Sequence, residues 1–173
     1  MQMSASREIA APQDVVYAAM LDPEVLKACV PGCTELSGSP EEGFEATVVQ
    51  KVGPVKATFK GVVTLSDMVD GESLTLTGEG KGGAAGFAKG GAQVRLEPGE
   101  SGTLLHYDVE AKVGGKIAQL GSRIIDGFAR KMADQFFERF QETVEGPAEP
   151  GEDTTEESTK TGWLKRLVKK GEA

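Results

Sequence analysis

The sequence predicts an α+β fold of the helix-grip kind, a curved antiparallel sheet closed around a long C-terminal helix. Three observations carry this reading. Extended runs follow one another from Cys33 to Val113 with turn residues at their boundaries. Near Lys116 the hydrophobic period changes from two to about 3.6 residues, and one strand with two short helices precedes the whole series.

Taken in order, Met3, Ala5, Arg7 and Ile9 alternate with their neighbours and predict an opening strand. Ala11-Pro12 then starts a short helix, because proline fits the first turn, and Val15, Val16, Ala19 and Met20 recur at helical spacing. Asp22-Pro23 breaks it and caps a second short helix from Pro23 to Cys29, which Pro31-Gly32 ends. The extended runs are Cys33 to Ser37, Phe44 to Val52, Val55 to Met68, Ser73 to Gly80, Phe87 to Glu97 and Thr103 to Val113. Gly53-Pro54, Asp70-Gly71 and Pro98-Gly99 mark turns between them. From Lys116 to Val144 one stripe of Ile117, Leu120, Ile124, Phe128, Met132, Phe136, Phe140 and Val144 predicts the long helix.

Composition sets the outer limits of function. The 173 residues suit one domain with a tail. A net charge of −8 argues against a nucleic-acid binder, which needs a basic face. No apolar run approaches the roughly 20 residues a transmembrane helix requires. Met1 to Ala11 lacks the basic and apolar regions of a secretory signal, so the expected compartment is the cytoplasm and both cysteines are expected as thiols.

The total charge hides a polarised chain. Residues 1–144 carry a net −6, residues 145–159 hold six acids and no base, and residues 160–173 hold five bases and one acid. The expected organisation is therefore a folded domain over 1–144, an acidic disordered linker over 145–162, and a short basic amphipathic helix over 163–170. On that helix Trp163, Leu164, Leu167 and Val168 form an apolar stripe, with Lys165, Arg166, Lys169 and Lys170 opposite. This pattern suits an anionic membrane surface, with weak, reversible and salt-sensitive attachment. A protein groove, or no role at all, are the other readings of the same pattern.

Strand parity shows which side chains face the helix. The inward set includes Phe44, Val48, Gln50, Phe59, Val63, Leu76, Val94 and Tyr107, but also Ala46, Ala57, Gly61, Gly78, Gly90, Ala92 and Ala111. So lean a face either leaves a hydrophobic cavity or is closed into an ordinary core by Phe44, Phe59, Phe87, Phe128 and Phe136.

Three motifs are weighed and set aside. Gly78 to Gly83 matches G-x-G-x-x-G, but a strand follows where a dinucleotide site needs a helix N-terminus, so a wide glycine-rich hairpin is expected. Cys29 and Cys33 flank Pro31-Gly32 without enough histidine for a zinc site and without C-x-x-C spacing. His106 and Asp108 share a solvated strand face with no nucleophile placed by sequence. Enzymatic activity is therefore disfavoured.

Four stretches resemble one family closely: Cys29 to Cys33, Val52 to Lys56, Gly78 to Gly90, and Val113 to Arg123. They are similar to the CoxG family of carbon monoxide dehydrogenase subunits, which belongs to the START/Bet v 1-like superfamily. The resemblance covers residues 2 to 144. It implies a non-catalytic accessory protein with no covalently bound cofactor. Such a protein would recruit an aerobic molybdenum carbon monoxide dehydrogenase, or a related molybdenum hydroxylase, to the inner face of the cytoplasmic membrane. It would also hold an isoprenoid quinone or lipid that links carbon monoxide oxidation to the respiratory chain. Phe59, Leu76, Phe87, Tyr107, Ile124, Phe128 and Met132 are the expected cavity lining. A soluble assembly chaperone and a small-molecule enzyme on the same fold are the alternatives.

Overall fold

A computed structural model describes residues 1–146. The expected amphipathic segment 163–170 and nearly all of the linker lie outside the described residues. Seven strands form one antiparallel sheet: β1 (Gln2–Ile9), β2 (Cys33–Ser39), β3 (Gly43–Val52), β4 (Val55–Val69), β5 (Ser73–Lys81), β6 (Phe87–Pro98) and β7 (Thr103–Gly114). Their order is β1-β7-β6-β5-β4-β3-β2, so β2 to β7 form a meander and β1 closes on β7. The helices α1 (Gln13–Met20) and α2 (Pro23–Cys29) carry the chain from one sheet edge to the other. The long helix α3 (Ser122–Glu145) lies across the inner face. This is the helix-grip fold that the sequence predicts.

Local chemistry accounts for the element ends. The Asp22 carboxylate caps α2 by accepting a hydrogen bond from the Glu24 backbone N–H at 2.9 Å, with Pro23 in the first turn. Gln13 holds the other end of the crossover, donating to the Gly71 carbonyl at 2.8 Å.

Two sequence expectations about the long helix need correction. It is not continuous from Lys116: Lys116–Leu120 is a separate 3-10 turn, and Gly121, at φ +95°, turns the chain before α3 begins. An L side chain is strained at that angle, so the glycine sets the break. The apolar stripe is also wider than expected. Phe137, one residue beyond the stripe, is buried and its ring stacks on Tyr107 with centroids 5.0 Å apart. Phe136 meets Phe137 edge-on at 5.0 Å and stacks on Phe140 at 5.6 Å. One packed pole gathers these rings with Ile9, Val16, Tyr17, Cys29 and Leu105.

A second, smaller pole lies at the other end of the grip. Val52, Ala85 and Ile117 are its buried members, with Phe59, Leu120 and Phe128 against them. The β3–β4 turn, the β5–β6 hairpin and the 3-10 turn meet here.

Candidate ligand-binding site

Between the two poles the inner face stays lean and only half-buried. From the sheet, Val48, Val63, Gly78, Ala92 and Ala111 face α3 on inward parity, yet none is fully buried. From the helix, Ile125, Phe128 and Met132 are likewise half-buried, and Ile124 is 40% exposed. A filled core would have driven these apolar groups near zero exposure, as it does at Phe140 and Leu105.

The residues expected as lining divide among these regions. Tyr107 is a buried member of the larger pole and Leu76 packs against it, while Phe59 and Phe128 pack against the smaller one. Met132 and Ile124 belong to neither and stand along the lean strip. Phe87 is misplaced by the sequence reading. It opposes Gly114 in the register, three residues from the inward Gly90, so it takes the outward parity and stands 39% exposed on the other face of the sheet. A strand-end aromatic invites an inward assignment, but alternation decides otherwise.

Polar groups at the strip are few. The Gln50 side-chain amide donates to the Pro31 carbonyl at 2.7 Å, which ties it to the α2–β2 loop. The Tyr107 side chain is buried, and its hydroxyl has no hydrogen-bond partner among the described residues. Burial pushes that phenol above its ordinary pKa, with the nearby Arg7 guanidinium opposing and the Asp134 carboxylate reinforcing the rise. Arg7 itself pairs with Asp134 on α3 and lies 5.5 Å from the centroid of the Phe137 ring. Sequence reasoning misses this polar corner as a site; the available signal is a charged residue on the inward parity of the first strand.

The outer face carries the remaining candidates. His106 contacts Ser6 Oγ through Nδ1 at 2.8 Å and Glu97 through Nε2, whereas Asp108 accepts from the Ser4 hydroxyl. The expected His106–Asp108 neighbours therefore take separate partners. The Ser6–His106–Glu97 chain lies on an open sheet face, and neither Ser6 nor His106 borders the concavity of that face where a substrate could sit. Cys29 is buried and Cys33 half-buried, both free; burial raises both thiol pKa values, which disfavours the reactive thiolate. The glycine-rich stretch forms the end of β5, a 3-10 turn at Gly83–Ala85 and the start of β6, with no helix to receive a pyrophosphate.

The concavity on the outer face is open and measures about 1370 Å³. Its walls include Val62, Thr77, Glu79 and Lys112, and its floor includes the bare backbone of Gly90 and Gly91. Of the expected lining residues only Leu76 borders it. Among the described residues no helix is long and apolar enough to cross a membrane, and no group of three or more His, Cys, Asp or Glu residues is placed to hold a metal ion.

Comparison with known proteins adds a family and a fold. A family model described as a carbon monoxide dehydrogenase subunit (CoxG) matches residues 6–145. No curated protein matches the chain. Among solved structures, a conserved protein from Geobacillus kaustophilus is similar, at 27% identity and TM-score 0.78, covering 84% of this chain and 95% of that one. A Chromobacterium violaceum protein, at 20% identity and TM-score 0.61, covers 84% of this chain and 98% of that one. A Thermus thermophilus protein, at 16% identity and TM-score 0.64, covers 83% of this chain and 97% of that one. The latter two speak for the fold alone.

Proposed function

We infer the role from the family: the chain belongs to the CoxG family of carbon monoxide dehydrogenase subunits, whose model matches residues 6–145. That membership points to an accessory role beside a carbon monoxide dehydrogenase. Beyond it, we propose a recruitment and ligand-carrying protein without catalytic chemistry of its own. The grip holds a quinone or another lipid along the strip between the two packed poles. Its C-terminal segment, with Trp163, Leu164, Leu167 and Val168 on one side and four bases on the other, touches an anionic membrane. The partner is a molybdenum-containing dehydrogenase, whose electrons the bound quinone passes to the respiratory chain.

One observation carries the ligand half of this reading. Tyr107, whose hydroxyl makes no hydrogen bond among the described residues, lies near Arg7 and Asp134 and packs in a cluster flanked by the half-buried apolar side chains of Leu76, Val109 and Phe136. A ligand carbonyl that accepts a hydrogen bond from the Tyr107 hydroxyl would gain about 0.5–1.5 kcal/mol. Tyr107→Phe is accordingly expected to leave the empty protein as stable as before, or more stable by about 1 kcal/mol. The same change should weaken quinone binding about tenfold. Urea unfolding and titration with a short-chain quinone measure the two effects. A destabilised variant that binds the quinone normally would place the hydroxyl in the fold and not in the site.

The membrane half is tested separately. Solvent extraction of the purified full chain, followed by mass spectrometry, should release a quinone or lipid. Co-sedimentation with anionic vesicles should favour the full chain over one ending at Gly162. Equal sedimentation at low salt would remove the C-terminal segment from the reading.

A further inference from the structure

The outer face of the sheet carries an arrangement that folding alone does not reward. Lys51, Lys56, Lys60, Lys81, Lys89 and Lys112 all take outward parity and are exposed. They face one another directly across neighbouring strands: Lys51 opposite Lys56, Lys60 opposite Lys81, and Lys89 opposite Lys112. Like charges in direct cross-strand register destabilise a sheet. Among the described residues none of the six forms an ion pair; the ion pairs found there involve Arg7, Arg95 and His106. Glu45 and Glu79 share the row of Lys89 and Lys112, and Glu35 ends the row of Lys60 and Lys81 on the far side of Thr47, while the Lys51–Lys56 row at the Gly53-Pro54 turn holds no acid.

Two apolar side chains stand among these charges. Phe87, 39% exposed, continues the Lys60–Lys81 row, and Val62, 53% exposed, lies in the next row beside Glu79. The basic side chains of this cluster are all lysine. Protein interfaces favour arginine and deplete lysine, whereas lysines on long apolar stems with an aromatic between them suit a headgroup layer. The cluster lies at the smaller pole, where the Gly53 turn approaches Leu120 and Ile124 at the exposed start of α3.

We propose that this lysine face is a second membrane-contacting surface, which rests on anionic lipid headgroups and turns the smaller pole of the grip toward the bilayer. It builds on the membrane reading above and names the part of the folded domain that serves it. The C-terminal segment then tethers the protein while the lysine face orients it, so that a lipophilic ligand travels a short path between the strip and the acyl layer.

The test uses the full chain with four variants. One carries Lys51→Gln, Lys56→Gln, Lys60→Gln and Lys81→Gln together; one carries Phe87→Ser; one ends at Gly162; and one combines the four glutamines with that truncation. Vesicles of phosphatidylcholine with about a third phosphatidylglycerol are the probe, with pure phosphatidylcholine as control. Each lysine near an anionic surface contributes about fivefold, so the four-glutamine chain should bind the anionic vesicles at least tenfold more weakly, with a flatter dependence on salt. The Phe87→Ser chain should fall between it and the parent. The chain ending at Gly162 should keep residual, lysine-dependent binding that its four-glutamine form loses. Unchanged circular dichroism and midpoint of unfolding show that the fold survives.

Equal binding by the parent and the four-glutamine chain overturns the proposal. If truncation at Gly162 alone then abolishes binding, recruitment by the C-terminal segment stands without the lysine face. Failure of the parent to bind anionic vesicles overturns both. Loss of binding to purified carbon monoxide dehydrogenase in the four-glutamine chain, with vesicle binding intact, overturns the proposal in favour of a protein dock.

Discussion

Phe140→Ala should cost about 3–5 kcal/mol, a large share of the roughly 5–15 kcal/mol that holds a domain of this kind together. The ring is fully buried, stacked on Phe136 at 5.6 Å and edge-on to Phe137 at 6.3 Å, within the pole that also holds Val16, Cys29 and Leu105. Its removal leaves a void that side chains from two helices and the sheet cannot fill by small shifts, so the transfer and cavity costs add. Ile124→Ala, at the opposite end of α3, should cost less than about 1 kcal/mol, because the side chain is already 40% exposed. Urea unfolding of the two variants, read at constant m-value, measures the difference. Similar losses would mean that α3 is anchored along its whole length, and the open strip between the poles would have no physical basis.

That asymmetry explains what the sequence could and could not disclose. Alternation along each strand identifies the two faces, so Val94, Leu96, Leu105 and Tyr107 are buried on their inward parity. Strand ends are legible wherever turn chemistry is explicit, as at Gly53-Pro54 between β3 and β4. Helical spacing alone places Ile117 and Leu120 on the same helix as Phe140. It carries no information about a backbone reversal that depends on Gly121 adopting φ +95°. Phe137 escapes notice for a related reason: a stripe drawn at three- and four-residue steps is narrower than the arc a sheet can cover when it wraps a helix.

The site is legible in its leanness and not in its polar corner. Small inward residues foretell the strip, but pairing Arg7 with Asp134 across 127 positions depends on how α3 crosses β1. The lysine face meets the same obstacle. Each lysine reads singly as a solvated position, and only the register that sets Lys60 opposite Lys81 and Lys89 opposite Lys112 turns them into one surface. Phe87 shows the reverse error, since an aromatic suggests an inward place by its type when its parity is outward.

Filling the strip decides whether it is a ligand space or a loosely drawn core. Ala92→Leu and Ala111→Leu place larger side chains on inward parity between the poles, at positions that are half-buried in the parent chain. In a close-packed core each change would force neighbours off their rotamers and cost about 1–3 kcal/mol, which lowers the melting temperature by several degrees in a domain of this size. Over an open strip the added methylene groups bury apolar surface that water now reaches, at about 0.8 kcal/mol for each one fully covered. The expected result is therefore a doubly substituted protein with an unchanged or higher melting temperature whose uptake of a short-chain quinone falls more than tenfold. Calorimetry and ligand titration read the two quantities independently. A fall in melting temperature with quinone uptake intact would show a packed interior and move any ligand elsewhere, whereas the opposite pair of results fixes the binding space beneath α3.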